Sequence, residues 1–462
     1  MINQNVSEFD SELIKKYDVS GPRYTSYPTA KEFRADFSEK DYKHYLLQSN
    51  QDAKNLSLYF HLPFCDTICF FCACNKIATK DRTKVSPYLS RLLAEIELQS
   101  ALIDSDRKVE QLHWGGGTPT FFSHEEMRSL MAKTKQCFNF LDNDEGEYSI
   151  EIDPREANAE TIHVLREIGF NRISMGVQDF NEKVQKAVNR HQSIAETENI
   201  IKASREANFK SVSLDLIYGL PFQTADGFHD TLKKIINLDP DRISLFNYAH
   251  LPKLFKPQRR INETDLPSLS EKLAILQNSV EYLNEHGYVF IGMDHFAKEH
   301  DEMVLAQQKG LLHRNFQGYS THADCDMISM GVTSIGKIGP IYSQNEHLMD
   351  DYIRKIDDGQ LAIKKGLILT QDDLLRRDVI HQLMCHFSID FSVIEKKYKI
   401  DFKQYFSQAL ESFLPMIDDD LLSINSSCIE ISPKGRFLIR NIVMNFDKYM
   451  KQAPEGTFSK AI

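Results

Sequence analysis

Apolar residues along the chain follow two patterns. Short apolar runs read as strands, and segments whose apolar residues recur every three or four positions read as helices. Strands are predicted over Leu56–His61, Val109–Trp114, Tyr148–Ile152, Asn171–Gly176, Val212–Tyr218 and Arg242–Tyr248, with Tyr288–Gly292 as one more. Helices fall between them. Ser86 and Pro87 open one as its cap and first-turn proline, and Tyr88, Leu89, Leu92, Leu93 and Ile96 keep helical spacing behind them. Ala159–Ile168 is stopped by Gly169, and Ala195–Ala207 and Phe228–Asn237 follow. Ser268 and Glu271 form a capping-box pattern before a helix that runs to about His286.

Strands that alternate with helices imply parallel βαβ units with right-handed crossovers. Six of them predict an α/β fold, a partial (β/α)6 TIM-like barrel whose active face lies at the C-terminal ends of the strands. The unusual residues fall there: cysteines after strand one, Gly115–Gly117 after strand two, Glu151 ending strand three and Gln178 after strand four. Beyond about Met349 the alternation stops. Asp372–His386 reads as a helix capped by Thr370, Leu421–Ile424 and Cys428–Ile431 as a hairpin, and Pro433 opens a helix through about Asp447. The expected organisation is an N-terminal arm over the active site (1–48), a barrel (49–350) and a C-terminal, mainly helical, winged-helix-like domain (351–462).

Composition narrows the function. Hydrophobic residues at 42% and charged residues at 26% are ordinary globular values. The net charge of −11 gives no general reason to bind nucleic acid, so an anionic ligand needs a local group of cations. The most apolar stretch, Leu56 to Cys74, is interrupted by His61, Pro63 and Asp66, so no membrane span is expected. The N-terminus lacks the basic start and apolar run of a secretory signal, which points to the cytoplasm. Of eight cysteines, four crowd into ten residues, which favours metal or redox chemistry over a disulfide framework.

That segment reads Cys65-Asp-Thr-Ile-Cys69-Phe-Phe-Cys72-Ala-Cys74. Zinc sites usually combine two separated pairs, and ferredoxin-type clusters use other spacings. Three thiolates on one loop can wrap one face of a cubane and leave its fourth iron open to a small molecule. Phe64, Ile68, Phe70 and Phe71 would keep such a group dry. A structural zinc or an oxidation-prone loop is the plainer alternative.

The spacing CxxxCxxC after a first strand resembles the signature of radical S-adenosylmethionine (SAM) enzymes. The extended CxxxCxxCxC, with Tyr59-Phe-His-Leu-Pro-Phe-Cys65, resembles the oxygen-independent coproporphyrinogen III oxidase family, HemN-type. Gly21-Pro-Arg-Tyr-Thr-Ser-Tyr-Pro28, His113-Trp-Gly-Gly-Gly-Thr-Pro-Thr120, Met175-Gly-Val-Gln-Asp-Phe180, Asp215-Leu-Ile-Tyr-Gly-Leu-Pro221, Asn247-Tyr-Ala-His-Leu-Pro252, Gly292-Met-Asp-His-Phe-Ala297 and His313-Arg-Asn-Phe-Gln-Gly-Tyr319 are similar to the same family. Asp66, Ala73 and His191 depart from it, where His, Gly and an acidic residue are common.

The resemblance implies roles. Cys65, Cys69 and Cys72 ligate a [4Fe–4S] cluster, and Cys74 serves the second half of the reaction without ligating. Tyr59, Gly116, Glu151 and Ile335 meet a cluster-bound SAM. Phe71, Gly117, Thr118, Gln178, Arg190, Asp215 and Ala249 line a second SAM. The implied substrate, coproporphyrinogen III, carries four propionates, and Arg23, Tyr24, Lys76 and Arg314 are candidates to hold or cover it. The implied reaction is oxidative decarboxylation of two propionates to vinyl groups, giving protoporphyrinogen IX by means of 5′-deoxyadenosyl radicals. A flavodoxin- or ferredoxin-type electron donor and a monomeric chain are expected with it. The alternative is a haem-delivery relative without decarboxylase activity; Cys74, Gln178 and Arg190 argue against it.

Overall fold

A computed structural model describes residues 8–322 and 325–450. Residues 1–7 of the expected arm and 451–462 of the expected C-terminal domain lie outside the described residues. The central sheet is built from β1 (Leu56–Leu62), β2 (Lys108–Gly116), β3 (Glu147–Ile152), β4 (Arg172–Gln178), β5 (Ser211–Tyr218) and β6 (Arg242–Asn247). They pair side by side in chain order, all parallel. Helices α1 (Val85–Ser100), α2 (His124–Cys137), α3 (Ala159–Ile168), α4 (Ile194–Glu206) and α5 (Ala225–Asn237) connect them.

The strands divide by face. Leu56, Leu58, Phe60 and Leu62 of β1 and Val212, Leu214 and Leu216 of β5 are fully buried in the main apolar core. The other face carries Ser149 and Glu151, Arg172 and Ser174, Ser213 and Asp215, and Arg242 and Ser244, which line a central lumen. A TIM barrel usually fills its interior with branched apolar side chains. Here that interior is polar, so it serves as a cavity and the apolar core lies outside it.

Several elements differ from their sequence signals. The first helix begins at Val85, behind a turn over Arg82–Lys84 that Asp81 caps, so Ser86 lies inside the helix and is not its cap. Ser268 caps α6 (Leu269–Glu285), but Glu271 does not close the box; its carboxylate accepts from Ala225 N at 2.6 Å, at the start of α5. Strand β7 (Tyr288–Gly292) forms, yet it is not a further parallel strand. It turns back onto β8 (His295–Lys298), which pairs antiparallel with β6.

Next comes a hairpin of β9 (His313–Asn315) and β10 (Gly318–Ser320). On the opposite edge β11 (Asp326–Met330) pairs parallel with β1. Strands β12 (Ile335–Ile338), β13 (Ile341–Asn345) and β14 (Ile363–Ile368) extend that edge antiparallel. The hairpin lines the lumen, and α7 (Gln371–His386) packs against β9.

Beyond α7, β15 (Ser388–Asp390), β16 (Leu422–Ile424) and β17 (Cys428–Ile431) form a small antiparallel sheet. The helix expected from Pro433 is broken into a 3-10 turn Gly435–Leu438, a helix Ile439–Val443 and a second turn Met444–Phe446. The described part of the arm docks on this region. Tyr24 and Tyr27 are buried, Tyr24 Oη donates to Asp447 at 2.9 Å, and Arg440 Nε donates to the Pro22 carbonyl at 3.1 Å.

Candidate active site

The cysteine loop leaves β1 at the C-terminal end of the sheet and is tied to the loop after β2. Gly117 N donates to the Leu62 carbonyl at 2.9 Å and Thr118 N to the Phe64 carbonyl at 2.7 Å. This close approach explains the glycines. A Cβ on Gly117 would lie 2.6 Å from Phe64 O, and Gly116 combines a φ of +109° with a Cβ position 2.4 Å from the His61 ring.

Cys65, Cys69, Cys72 and Cys74 line one cavity with Phe71, Lys76, Gly116, Gly117, Thr118, Glu151, Gln178, Arg190 and Asp215. Cys65 and Cys69 are buried, Cys72 half-buried and Cys74 at the exposed rim. Burial pushes the Cys65 thiol up to about 11, opposed by the Thr118 hydroxyl, which donates to its Sγ at 3.5 Å. A hydrogen bond between Cys74 and Cys72 acts most on both: it lowers Cys72 and raises Cys74. Lys76 folds back onto the loop, donating to the Cys72 and Cys74 carbonyls at 3.2 and 3.4 Å.

Cys69 faces two guanidinium groups. Arg190 Nη1 approaches its Sγ at 3.6 Å and Arg155 Nη2 at 3.8 Å. Asp153 holds both: Arg155 reaches it at 2.6 and 2.9 Å and Arg190 at 2.9 Å. Burial alone would raise the Asp153 carboxyl, but the Arg190 and Arg155 charges hold it down to about 2. Arg190 Nη2 also donates to Gly176 O at 2.5 Å. Next to it the β4–β5 register shifts, and Gln178 adopts a φ of +67° with its Oε1 buried and unpartnered. A non-glycine residue held there stores about 1–3 kcal/mol of strain, a pattern that clusters at ligand sites.

Glu151 is held from two sides. Gly116 N donates to it at 3.0 Å, and His113 Nε2 stands 3.5 Å away. Burial raises this carboxyl, and the His113 and Gly116 contacts outweigh it, so the net shift is downward. His113 stacks on Tyr59 with ring centres 5.9 Å apart. His61 Nε2 donates to the Asn75 carbonyl at 2.9 Å, which leaves Nδ1 to accept from Tyr59 Oη at 3.0 Å. Asp215 has hydroxyl partners only, Ser174 at 3.2 Å and Ser244. Burial raises it to about 6, Glu151 adds to the rise, and the two serines and the Arg190 charge oppose it.

The remaining expected residues sit elsewhere. Ala249 is beside Phe71 because Gln258 Nε2 donates to both carbonyls, at 3.2 and 3.0 Å. Ile335 packs with Phe33, Phe316 and Tyr342, outside the cavity lining. Arg23 is committed to Asp294 at 2.6 Å, and Tyr24 points at Asp447. Arg314 is buried at the hairpin. Asp153, Arg155 and Gln258 escaped the sequence reading, and His113 entered it only as the start of a family motif, without a role. A charged Asp-Pro-Arg directly after β3 was the available signal for two of them.

Among the described residues no three His, Cys, Asp or Glu side chains converge on a single metal ion. The thiols instead share a walled cavity with a backbone cradle that any Cβ would fill, and with unpartnered Gln178 Oε1 and Arg190 Nε. Sulfur donors, apolar walls and unused polar atoms suit a multi-iron group with a polar organic ligand.

Residues 59–235 match the family model described as Radical SAM superfamily, and residues 369–438 match the HemN C-terminal domain. The chain is 50% identical to the oxygen-independent coproporphyrinogen III oxidase of Pseudomonas aeruginosa, over 98% of this chain and 99% of that one. It is 46% identical to the enzyme of the same name from Escherichia coli, again over 98% and 99%. The solved structure of coproporphyrinogen III oxidase (HemN) from Escherichia coli, described as a radical SAM enzyme, superposes with a TM-score of 0.92, covering 96% of this chain and 99% of that one. With that identity sustained from end to end, and the same fold carrying the cysteine cavity, this chain belongs to the oxygen-independent coproporphyrinogen III oxidase family of the radical SAM superfamily.

Proposed function

We propose that the chain converts coproporphyrinogen III to protoporphyrinogen IX without oxygen, turning two propionates into vinyl groups in haem biosynthesis. The observation that supports it best is the single cavity in which the four loop cysteines meet Glu151, Gln178, Arg190 and Asp215. Each vinyl group requires loss of one hydrogen atom, one carbon dioxide and one electron. When bound, the [4Fe–4S] cluster and SAM supply a 5′-deoxyadenosyl radical strong enough to take that hydrogen.

The chain's own groups bind, orient and dry the site. Cys65, Cys69 and Cys72 hold the cluster through their Sγ atoms. Glu151, ionised because His113 and Gly116 N favour its charged form, binds the amino end of one SAM. Tyr59 keeps His113 in place by stacking. A second SAM lies against Phe71, Gly117, Thr118, Gln178 and Asp215; Asp215, buried with only serine hydroxyls as hydrogen-bond partners, suits a sulfonium. Cys74, outside the ligand set, presents Sγ at the rim and moves a proton or hydrogen there. The arm closes the mouth. The chain works as a monomer in the cytoplasm with a flavodoxin- or ferredoxin-type donor; its eight free thiols support a reducing compartment. No helix among the described residues is long and apolar enough to cross a membrane.

The test is an anaerobic assay of reconstituted protein with coproporphyrinogen III, SAM and a strong reductant, followed by mass spectrometry. The expected product has lost two carbon dioxides and two pairs of hydrogens. SAM cleavage with the porphyrinogen mass unchanged refutes the assignment.

A further inference from the structure

Beside the hairpin that lines the lumen, several buried donor atoms have no acceptor. Arg314 is 6% exposed, and its guanidinium lies 4.7 Å from the ring centre of Tyr319, its cross-strand partner. Its Nε and Nη1 have no hydrogen-bond partner. Helix α7 packs on β9 and presents Arg377 and His381 one turn apart; the Arg377 guanidinium meets the Tyr342 hydroxyl and the Asp378 charge, but its Nη1 is unpartnered, as is His381 Nε2. So is Gln317 Nε2, at the hairpin tip. Burial disfavours charge on His381, and Lys337, Arg377, His313 and Arg314 all act in the same direction. In a chain of net charge −11, this concentration of basic groups is local.

Guanidinium and amide N–H groups can only donate, so a cation finds no ligand among them. A carboxylate supplies two oxygens and matches a guanidinium fork. The place is also connected to the chemistry. Gln317, Tyr319 and His295 line the lumen, and Glu151, Ser174 and Asp215 line both the lumen and the cysteine cavity.

We infer that Arg314, Arg377 and Gln317 form a carboxylate-anchoring site, one wall of it supplied by α7 of the C-terminal region. On the function proposed above, the carboxylate is a propionate that survives the reaction, since two of the four remain in the product. This gives the C-terminal region a direct part in holding substrate. The identity of the anion rests on that function; the anion chemistry of the site does not.

The test titrates reconstituted full-length protein with coproporphyrin III and with its tetramethyl ester, following porphyrin absorbance, for wild type, Arg314→Met, Arg377→Met and Arg377→Lys. Loss of a charge-assisted hydrogen bond weakens binding roughly 10–150-fold. The tetra-acid should bind at least about tenfold more weakly to both Met variants, with partial recovery in Arg377→Lys. The ester should bind weakly and equally to all four. Reductive SAM cleavage without porphyrin should be unchanged in Arg377→Met. Equal tetra-acid binding by wild type and both Met variants overturns the site.

A second arm needs no porphyrin. Citrate should raise the melting temperature of the wild type and leave that of Arg314→Met unmoved, and equal behaviour of the two overturns the site. If wild type fails to decarboxylate coproporphyrinogen, the functional reading falls, and the anion site is then decided by the citrate arm alone.

Discussion

The two ends of the lumen treat charge in opposite ways. At the cysteine end, charges come with answers: Asp153 lies between Arg155 and Arg190, and Glu151 between His113 and Gly116 N. At the hairpin end, Arg314 and Arg377 keep bare donors. A buried group with its partner in place is preorganised and keeps its position before any ligand arrives. A buried group without one is costly until something else supplies the acceptor. The contrast also sorts the cations considered for substrate. Arg23 is taken by Asp294 and Lys76 by loop carbonyls, which leaves Arg314.

The largest expected effect lies at the cysteine end. Serine at Cys65, Cys69 or Cys72 should take anaerobically reconstituted protein from about four irons per chain to almost none. Cys74→Ser should keep its iron and lose product formation. Iron and sulfide analysis of the four variants decides this, and iron loss in Cys74→Ser would make Cys74 a ligand.

The next test sets the two ends against each other in cluster-free protein. Asp153→Asn leaves two largely buried guanidinium groups without their carboxylate. Removing one partner of a buried pair typically destabilises by about 3–5 kcal/mol. Arg314→Met deletes a buried cation that has no carboxylate to lose, only the Tyr319 hydroxyl, so stability should hold or rise. Urea denaturation of both variants measures the difference. An equal loss in each would mean that Arg314 is already answered, and the contrast would fail.

Both ends were unequally visible in the chain itself. The cysteine loop is contiguous, and the strands that carry it are apolar runs long enough to stand out. Arg190 meets Asp153 only because β3 and β4 are neighbours, which residue order does not state. Glu271 looks like part of its own helix's cap, yet the nearby end of α5 takes its carboxylate. The apolar run of β7 carries no mark of direction, and it became antiparallel. Strands β11 to β14 are four to six residues long, mixed with Gly, Ser and Lys, so no run signalled them. At the hairpin end Arg314 read as one charge beside His313, while its companions Arg377 and His381 come some sixty residues later on a helix.

Asp215 stands where the two regions meet, since it lines both cavities. It resembles the hairpin residues in having no charged hydrogen-bond partner, and with the opposite sign it should take a cation. Asp215→Asn should weaken the second SAM roughly 10–150-fold. Equilibrium dialysis should find two SAM per wild-type chain and close to one per variant chain at the same concentration. A wild-type stoichiometry of one would remove the second site.

The smallest effect is a pH dependence at the same residue. Burial raises the Asp215 carboxyl to about 6 in the ligand-free protein, well above its usual value near 3.8. Between those values the folded chain holds a proton that the unfolded chain has released. Stability from this group therefore declines as pH rises from about 4 to 6 and is level above that. Cofactor binding runs the other way. A sulfonium favours the ionised carboxylate, so affinity for the second SAM should climb by up to about tenfold per pH unit below 6 and flatten above about 7. In Asp215→Asn both slopes should vanish together. Dialysis and urea denaturation between pH 5 and 7.5 measure them on the same two proteins. A wild-type affinity that is flat across this range would mean that Asp215 is already ionised by a neighbour, and would return it to the paired, preorganised end of the lumen.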